Sequence, residues 1–453
     1  MNSRREKALF FLGSSLLLLW PAFLNGYPYI FTDTIGYLDA GNCLALALLG
    51  KGWGSFGERS EVYSFSIYVL HLRRYLWFPA LFSALLASWS VNRSVDVLLP
   101  QWTLRARLIL VGGLSLFTSL SWRVSMVMPD YLAGLIPLWV YLLTRRSPVV
   151  TVRERVVLLG LLCYGGLCHP SHLALIAGLA FVLSVARKKE SKWLWAVFFI
   201  ACCTQITVHK VLRGEAKLFG HGPPLLLARV LADGPGVLYG REHPEFAVSK
   251  YVDLAEGRRE ENILWEEDGM FYQIKEDDPK AMRAIKAEEN RFVIGAVLSY
   301  PFLQLQSSFK NFLTQSTYVG LGVEYETHPY IISCLPSILV RGEEIYHRTL
   351  QSRGAVPTLA FSVLQVIVLI GSVVVVARAI VGGWNELEAE WKHWLFTILA
   401  GVVLNAAITG VLSGAFARYQ SRVIWLVPFT AAIIMAKRDG KGTTASHKSV
   451  PSE

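Results

Sequence analysis

Apolar runs of about 15 to 22 residues recur along most of this chain, separated by tight clusters of Lys and Arg. Few folds tolerate such a pattern. Only 17% of the 453 residues are charged and 53% are hydrophobic, whereas soluble domains carry roughly 25% charged residues. With a mean hydropathy of +0.40, the expected fold class is an all-α polytopic membrane protein.

Ten spans are expected, over 8–26, 75–92, 107–122, 130–144, 155–168, 171–186, 193–211, 357–377, 394–412 and 423–436. The basic groups then fall on one side: Arg4, Arg5 and Lys7; Arg93, Arg105 and Arg107; Arg145, Arg146, Arg153 and Arg155; Arg187, Lys188, Lys189 and Lys192; Arg378 and Lys392; Lys437 and Arg438. Merging 155–186 into one span would flip every later cluster, so a hairpin is the better reading. Both termini are then cytoplasmic. The N-terminus has a basic lead and an apolar core, but Asn25-Gly26-Tyr27 offers no small-x-small cleavage site, so the first span is expected to stay.

The net charge of +10 sits mostly in these short clusters, where it sets topology; nucleic acid is not an expected partner. The organisation reads as a seven-helix core (1–211), a long outer loop or small domain (212–356), three C-terminal helices (357–437) and a disordered tail (438–453). Within the first outer loop (27–74), an apolar stretch from Ile35 to Leu49 has helical spacing and is expected to lie along the interface, broken by Gly50 to Gly57. Tyr300 to Val319 is a second amphipathic piece of that kind. Cys163, Cys168, Cys202 and Cys203 lie in apolar runs as small hydrophobes, while Cys43 and Cys334 share the outer side, leaving a disulfide between them open.

Candidate site residues cluster at outer turns. Asp33 follows the first span, between Tyr29, Phe31 and Tyr37. It is suited to general-base work or to ligating a divalent cation, Mg or Mn, and equally to capping a helix near Ile35 together with Thr32 or Thr34. Asp39 would not share a helix face with Asp33. Arg59 and Tyr63 lead back into the membrane. Spans 130–144, 155–168 and 423–436 are short of the roughly 20 residues a bilayer needs, and their outer ends carry Asp130, His169 and His172, and Arg418, Tyr419 and Arg422. Charge at membrane depth survives where it lines a cavity or is buried in protein, so a recessed outer cavity is expected.

Each residue has a plainer reading. Asp130 after Pro129 fits a helix start, the histidines fit a hydrogen-bonded turn, and the arginines fit snorkelling to headgroups. Two guanidiniums at i, i+4 also suit an anion such as phosphate. Pro223 to Arg229 and Asp233 to Gly236 signal tight turns, with a phosphate cradle as the sharper alternative. No Walker loop, H-E-x-x-H, G-x-G-x-x-G after a strand, or G-x-S-x-G occurs.

An acid in the first outer loop, a following interfacial helix and a large outer loop after span seven resemble the GT-C superfamily of membrane glycosyltransferases. Asp33 with Tyr37, Arg59 through Tyr63, Met128-Pro129-Asp130 and Arg418-Tyr419 are similar to elements of its bacterial branch, which includes transferases that modify lipid A and lipopolysaccharide. The resemblance implies a polyprenyl-phosphate sugar donor, a glycolipid or glycan acceptor, and an inner-membrane enzyme whose active site faces the periplasm. Asp33 would be the general base, with Arg418 and Arg422 on the donor phosphate. Many members carry an Asp-Asp or Asp-Glu pair here, whereas Thr34 follows Asp33. The competing class is a transporter or flippase of a lipid-linked or anionic substrate. Neither repeated halves nor broken midplane helices are visible in the sequence. A scaffold protein would leave Asp33, Asp130 and Arg422 replaceable.

Overall fold

The computed structural model describes residues 4–51, 59–145, 150–186, 188–218 and 222–446. Most of Gly50 to Gly57, Arg146 and Arg187 lie outside that set. All named secondary structure among the described residues is helical, accompanied by a parallel β-bridge between Tyr29 and Met126. In chain order the first part comprises α1 (Arg4–Leu18), α2 (Trp20–Asn25), α3 (Thr32–Leu48), α4 (Glu61–His71), α5 (Trp77–Leu98), α6 (Leu104–Phe117), α7 (Leu120–Val124), α8 (Tyr131–Thr144), α9 (Val152–Cys168), α10 (Pro170–Ala186) and α11 (Lys188–Arg213). The middle holds α12 (Leu225–Ala232), α13 (Pro235–Glu242), a 3-10 turn (Ala247–Ala255), α14 (Glu260–Trp265), α15 (Met270–Asp277), α16 (Pro279–Ser299) and α17 (Pro301–Thr317). The rest is α18 (Pro329–Ile338), α19 (Gly342–His347), α20 (Thr358–Gly383), α21 (Ala389–Leu412), α22 (Ala417–Ile424) and α23 (Leu426–Ser446).

Every segment expected to span is largely helical, but length and apolarity qualify fewer of them. Ser191–Arg213, Thr358–Gly383, Ala389–Leu412 and Ala417–Lys437 are long and apolar enough to cross a membrane, and α16 with α17, bent by 101°, makes a fifth candidate. The first segment breaks at Leu19, α6 and α7 are interrupted at Thr118-Ser119, and α5 carries Asn92, Arg93 and Asp96. α23 runs to Ser446, into the tail that begins at 438; 447–453 lie outside the described residues.

Two compact units divide the chain. The first contains 1–218, 319–404 and 420–453. Its centre is α8, whose 14 residues are all buried. A helix apolar all round belongs in a core. Its few polar groups have partners. Trp139 Nε1 donates to Ser90 Oγ at 2.8 Å, Tyr141 donates to Glu390 at 2.6 Å, and Thr144 bonds His393 at 2.9 Å. Pro137 lies inside α8 opposite Gly401, where a Cβ would lie 2.5 Å from the proline ring. The first unit thus packs α21 against α8 through a glycine.

The second unit contains 219–318 and 405–419. Its core joins Leu227, Leu231, Val252, Ile263, Phe271 and Phe292 across α12 to α16. The long loop is therefore split, since 319–356, with α18 and α19, belongs to the first unit.

Candidate functional site

The stretch after the first apolar helix is held on both edges. Tyr29 N–H donates to Ser125 O at 2.9 Å and Tyr29 O accepts from Val127 N–H at 3.2 Å. On the other edge Gln351, fully buried, donates to Ile30 O at 2.7 Å and accepts from Ile30 N–H at 3.1 Å. One amide so replaces a missing strand. α3 then starts, with Thr34 Oγ1 accepting from Phe31 N–H at 3.0 Å. Thr34 is the capping side chain and Asp33 lies in the first turn, where the helix dipole favours an acid.

Asp33 is paired with Arg59, their side chains 17% and 34% exposed. Arg59 lies along one face of α3. A Cβ on Gly36 would come 3.1 Å from its Cγ, and its guanidinium stands 5.7 Å from the Tyr37 ring. Tyr37 meets Tyr63 edge to face at 5.0 Å. Asp33, Tyr37, Arg59 and Tyr63 therefore form one cluster. Asp39 is exposed on a different face, as the helical period requires. Burial and Asp39 push the Cys43 thiol up, and burial with Cys334 and Asp39 pushes Tyr330 up against the lowering effect of Arg59. Tyr330, on α18, is thus a neighbour of this cluster that the sequence did not indicate. Cys43 and Cys334 are free thiols.

The tips of the three short spans do converge. Arg422 Nη1 is 3.3 Å from Asp130 Oδ1 and Nη2 donates to Ser171 Oγ at 2.9 Å, with Arg422 and Asp130 only 1% and 4% exposed. Ser171 N–H points at His169 Nδ1 (3.2 Å), so Nδ1 is an acceptor. The Ser171 hydroxyl, 2.8 Å away, accordingly donates to that nitrogen while accepting from Arg422. The His172 ring lies tilted 5.2 Å from that of His169 and bonds Gly165 O at 3.1 Å. Gly134 permits the approach of α22, because a Cβ there would sit 2.6 Å from Arg422 O and 2.5 Å from Trp425 Nε1. At Asp130 and Arg422 the short-span tips meet in an ion pair: two charges at such depth are stable together and costly apart.

A second buried pair was not anticipated. Arg123 on α7 bonds Glu324, with both side chains under 3% exposed. The guanidinium lies 5.4 Å from the Tyr325 ring, and Tyr325, Tyr29 and Trp122 pack edge-on and tilted within 5.8 Å of one another. Arg123 Nε and Nη1, and the Tyr29 and Tyr325 hydroxyls, meet no protein partner among the described residues. The available signal was the polar interval Thr118 to Ser125 interrupting an apolar run.

Arg418 and Tyr419 belong to the second unit. Arg418 lies over the Tyr419 ring at 4.9 Å and donates to its hydroxyl at 3.2 Å, while Asn405 donates to Tyr419 O at 2.7 Å. In the same unit, the stretch expected to make tight turns holds Arg229 internally, bonded to Asp233 at 2.6 Å and to Ser413 O at 3.1 Å. Glu260 lies 3.8 Å from Arg229, and burial raises its carboxyl to about 7.

Among the described residues no three His, Cys, Asp or Glu side chains converge as metal ligands. Asp33 faces a guanidinium and Asp39 lies on a different face of α3, so this donor set does not fit a divalent cation. Fold and site define an all-α chain with membrane-length helices and paired charges in its core. No family model, curated protein or solved structure matches it.

Proposed function

We propose that this chain is a membrane glycosyltransferase that moves a sugar from a polyprenyl-phosphate donor to an acceptor hydroxyl. The ten-span topology, with cytoplasmic termini and a periplasmic site in a bacterial inner membrane, belongs to this reading. The observation that carries it is Asp33. This carboxylate is partly exposed and fixed by Arg59, whose guanidinium lies near the Tyr37 ring that in turn meets Tyr63, while Asp130 and Glu324 are buried with arginines. The clamped stretch before it holds the acid in place, as a general base requires.

In the reaction the acceptor oxygen attacks the anomeric carbon as its proton passes to Asp33. The bond from that carbon to the phosphate oxygen breaks, and the polyprenyl phosphate leaves with the electron pair. Charge balance on the leaving phosphate is the second requirement, assigned to Arg418 and Arg422 on α22. For Arg422, that role means exchanging Asp130 for phosphate as counter-ion.

Buried acid–arginine pairs also suit a transporter or flippase, and one experiment separates the two. Purified protein in proteoliposomes is given a polyprenyl-phosphate sugar labelled in the sugar, with a glycolipid acceptor extract. Label covalently joined to acceptor, with unlabelled polyprenyl phosphate released, is the expected result. Label that crosses the bilayer still joined to its lipid, with no new glycoside, would establish transport instead.

A further inference from the structure

Helix α17 is built inside out. Gln304, Ser307, Ser308, Asn311 and Gln315 recur at helical spacing along one side, and this side packs inward. Gln304 and Asn311 each donate to the Asp233 carboxylate at 2.8 Å, and Ser307 donates to Asp233 O at 3.1 Å. Gln315 exchanges two bonds with the Phe416 backbone, at 2.9 and 3.0 Å. The opposite side carries Phe302, Leu305, Phe309 and Leu313, exposed by 87%, 67%, 60% and 48%. Ile294 and Leu298 of α16 extend the exposed apolar surface toward the bend.

A helix in water turns its polar side out, because apolar area removed from water is the main gain of packing. The reverse arrangement marks a surface whose natural solvent is apolar. Two further observations say which. Gly410 lies two residues from the end of the membrane-length helix α21, and a Cβ there would come 2.7 Å from Asn311 O and 3.0 Å from Gln315 Cβ. The polar side of α17 is therefore pressed against a candidate span, with its apolar side turned away. Lys310 is exposed at the edge of the stripe, and a long basic side chain so placed can snorkel to headgroup phosphates.

We infer that the Phe302–Leu305–Phe309–Leu313 face of α17 is immersed in the acyl chains of the bilayer, anchoring the second unit to the membrane from its own side. The buried Asp233 network is what lets a helix so oriented keep its polar residues satisfied. This inference rests on the membrane character of the chain and not on sugar transfer.

The test is collision accessibility in lipid nanodiscs. Single nitroxides are placed at Leu305, Phe309 and Leu313 in the full chain with its 6 cysteines replaced, with a control label at Glu276 on α15, exposed in the same unit. Collisions with oxygen should exceed those with a water-soluble nickel chelate at all three positions, and the order should reverse at Glu276. Nickel dominance on α17 would put the face in water, and low access to both reagents would mean that protein, such as a second copy, covers it. Either result overturns the inference. The unaltered protein provides a second reading should the cysteine-free chain fail to fold. A phospholipid with a diazirine in its acyl tail should leave photoadducts on peptides from 301–317, and their absence would refute the proposal.

Discussion

Removing Asp130 should destabilise the first unit more than removing Arg422, and removing both should cost less than either alone. Asp130 and Glu324 face Arg422 and Arg123, a neutral set, and all four side chains are under 5% exposed. Taking away one member of a buried pair costs about 3–5 kcal/mol because the survivor stays charged and unpaired, whereas replacing both with apolar groups is often neutral. Asp130→Leu strips Arg422 of its counter-ion and also removes an acid whose field reaches Arg123, placing it near the upper end. Arg422→Leu leaves Asp130 within the field of Arg123, placing it near the lower end. The double variant restores neutrality and leaves Ser171 bonded to His169. Thermal unfolding in detergent micelles supplies the order: wild type and double variant highest, Arg422→Leu lower, Asp130→Leu lowest. A double variant that melts at the sum of the two single losses would show that the residues are uncoupled, and the ion-pair account would fail.

Three other outcomes follow from particular contacts. Glu260 gives up its proton near 7 when folded and near 4.5 when unfolded. Its contribution is fully present below pH 4.5 and is lost as pH rises to 7, about 3 kcal/mol in all; Glu260→Gln should flatten the thermal stability of the protein between pH 5 and 8, and an unchanged slope would rule Glu260 out as its source. Gly134→Ala places a methyl against Arg422 O and Trp425, so a loss of about 1–3 kcal/mol is expected, whereas a wild-type melting point would mean α8 and α22 separate freely. Gln351→Ala orphans the amide and carbonyl of Ile30 at about 1–3 kcal/mol each; faster amide exchange through 28–34 should accompany it, and protection equal to wild type would argue against the clamp.

The periodicity of apolar residues located the helices well, because each run can form a helix whatever surrounds it. Burial is what it did not convey: α8 is apolar at nearly every position, and only the structure shows all 14 of its residues packed inside the first unit. Asp33, Tyr37, Arg59 and Tyr63 were legible as a group since they lie close in sequence and share the α3–α4 hairpin. The convergence of Asp130, His169 and Arg422 was also legible, from three helices short at the same end. The pairing of Arg422 with Asp130 was not, because which charges neutralise one another depends on distances between elements. Arg123 and Glu324 are separated by 201 positions, and no local pattern announces such a pair. The inverted polarity of α17 shows the same limit. The sequence reveals an amphipathic helix, and only the contacts of Asp233 reveal which side faces in.

The central claim is that Asp33 takes the acceptor proton, and the most direct test measures binding and turnover together. Asp33→Asn keeps the shape and drops the basicity. The account predicts that this variant still binds a labelled polyprenyl-phosphate sugar as tightly as wild type, while transfer to acceptor falls by about 10²–10⁴-fold. Transfer at the wild-type rate by Asp33→Asn, from a protein that binds donor normally, would contradict it.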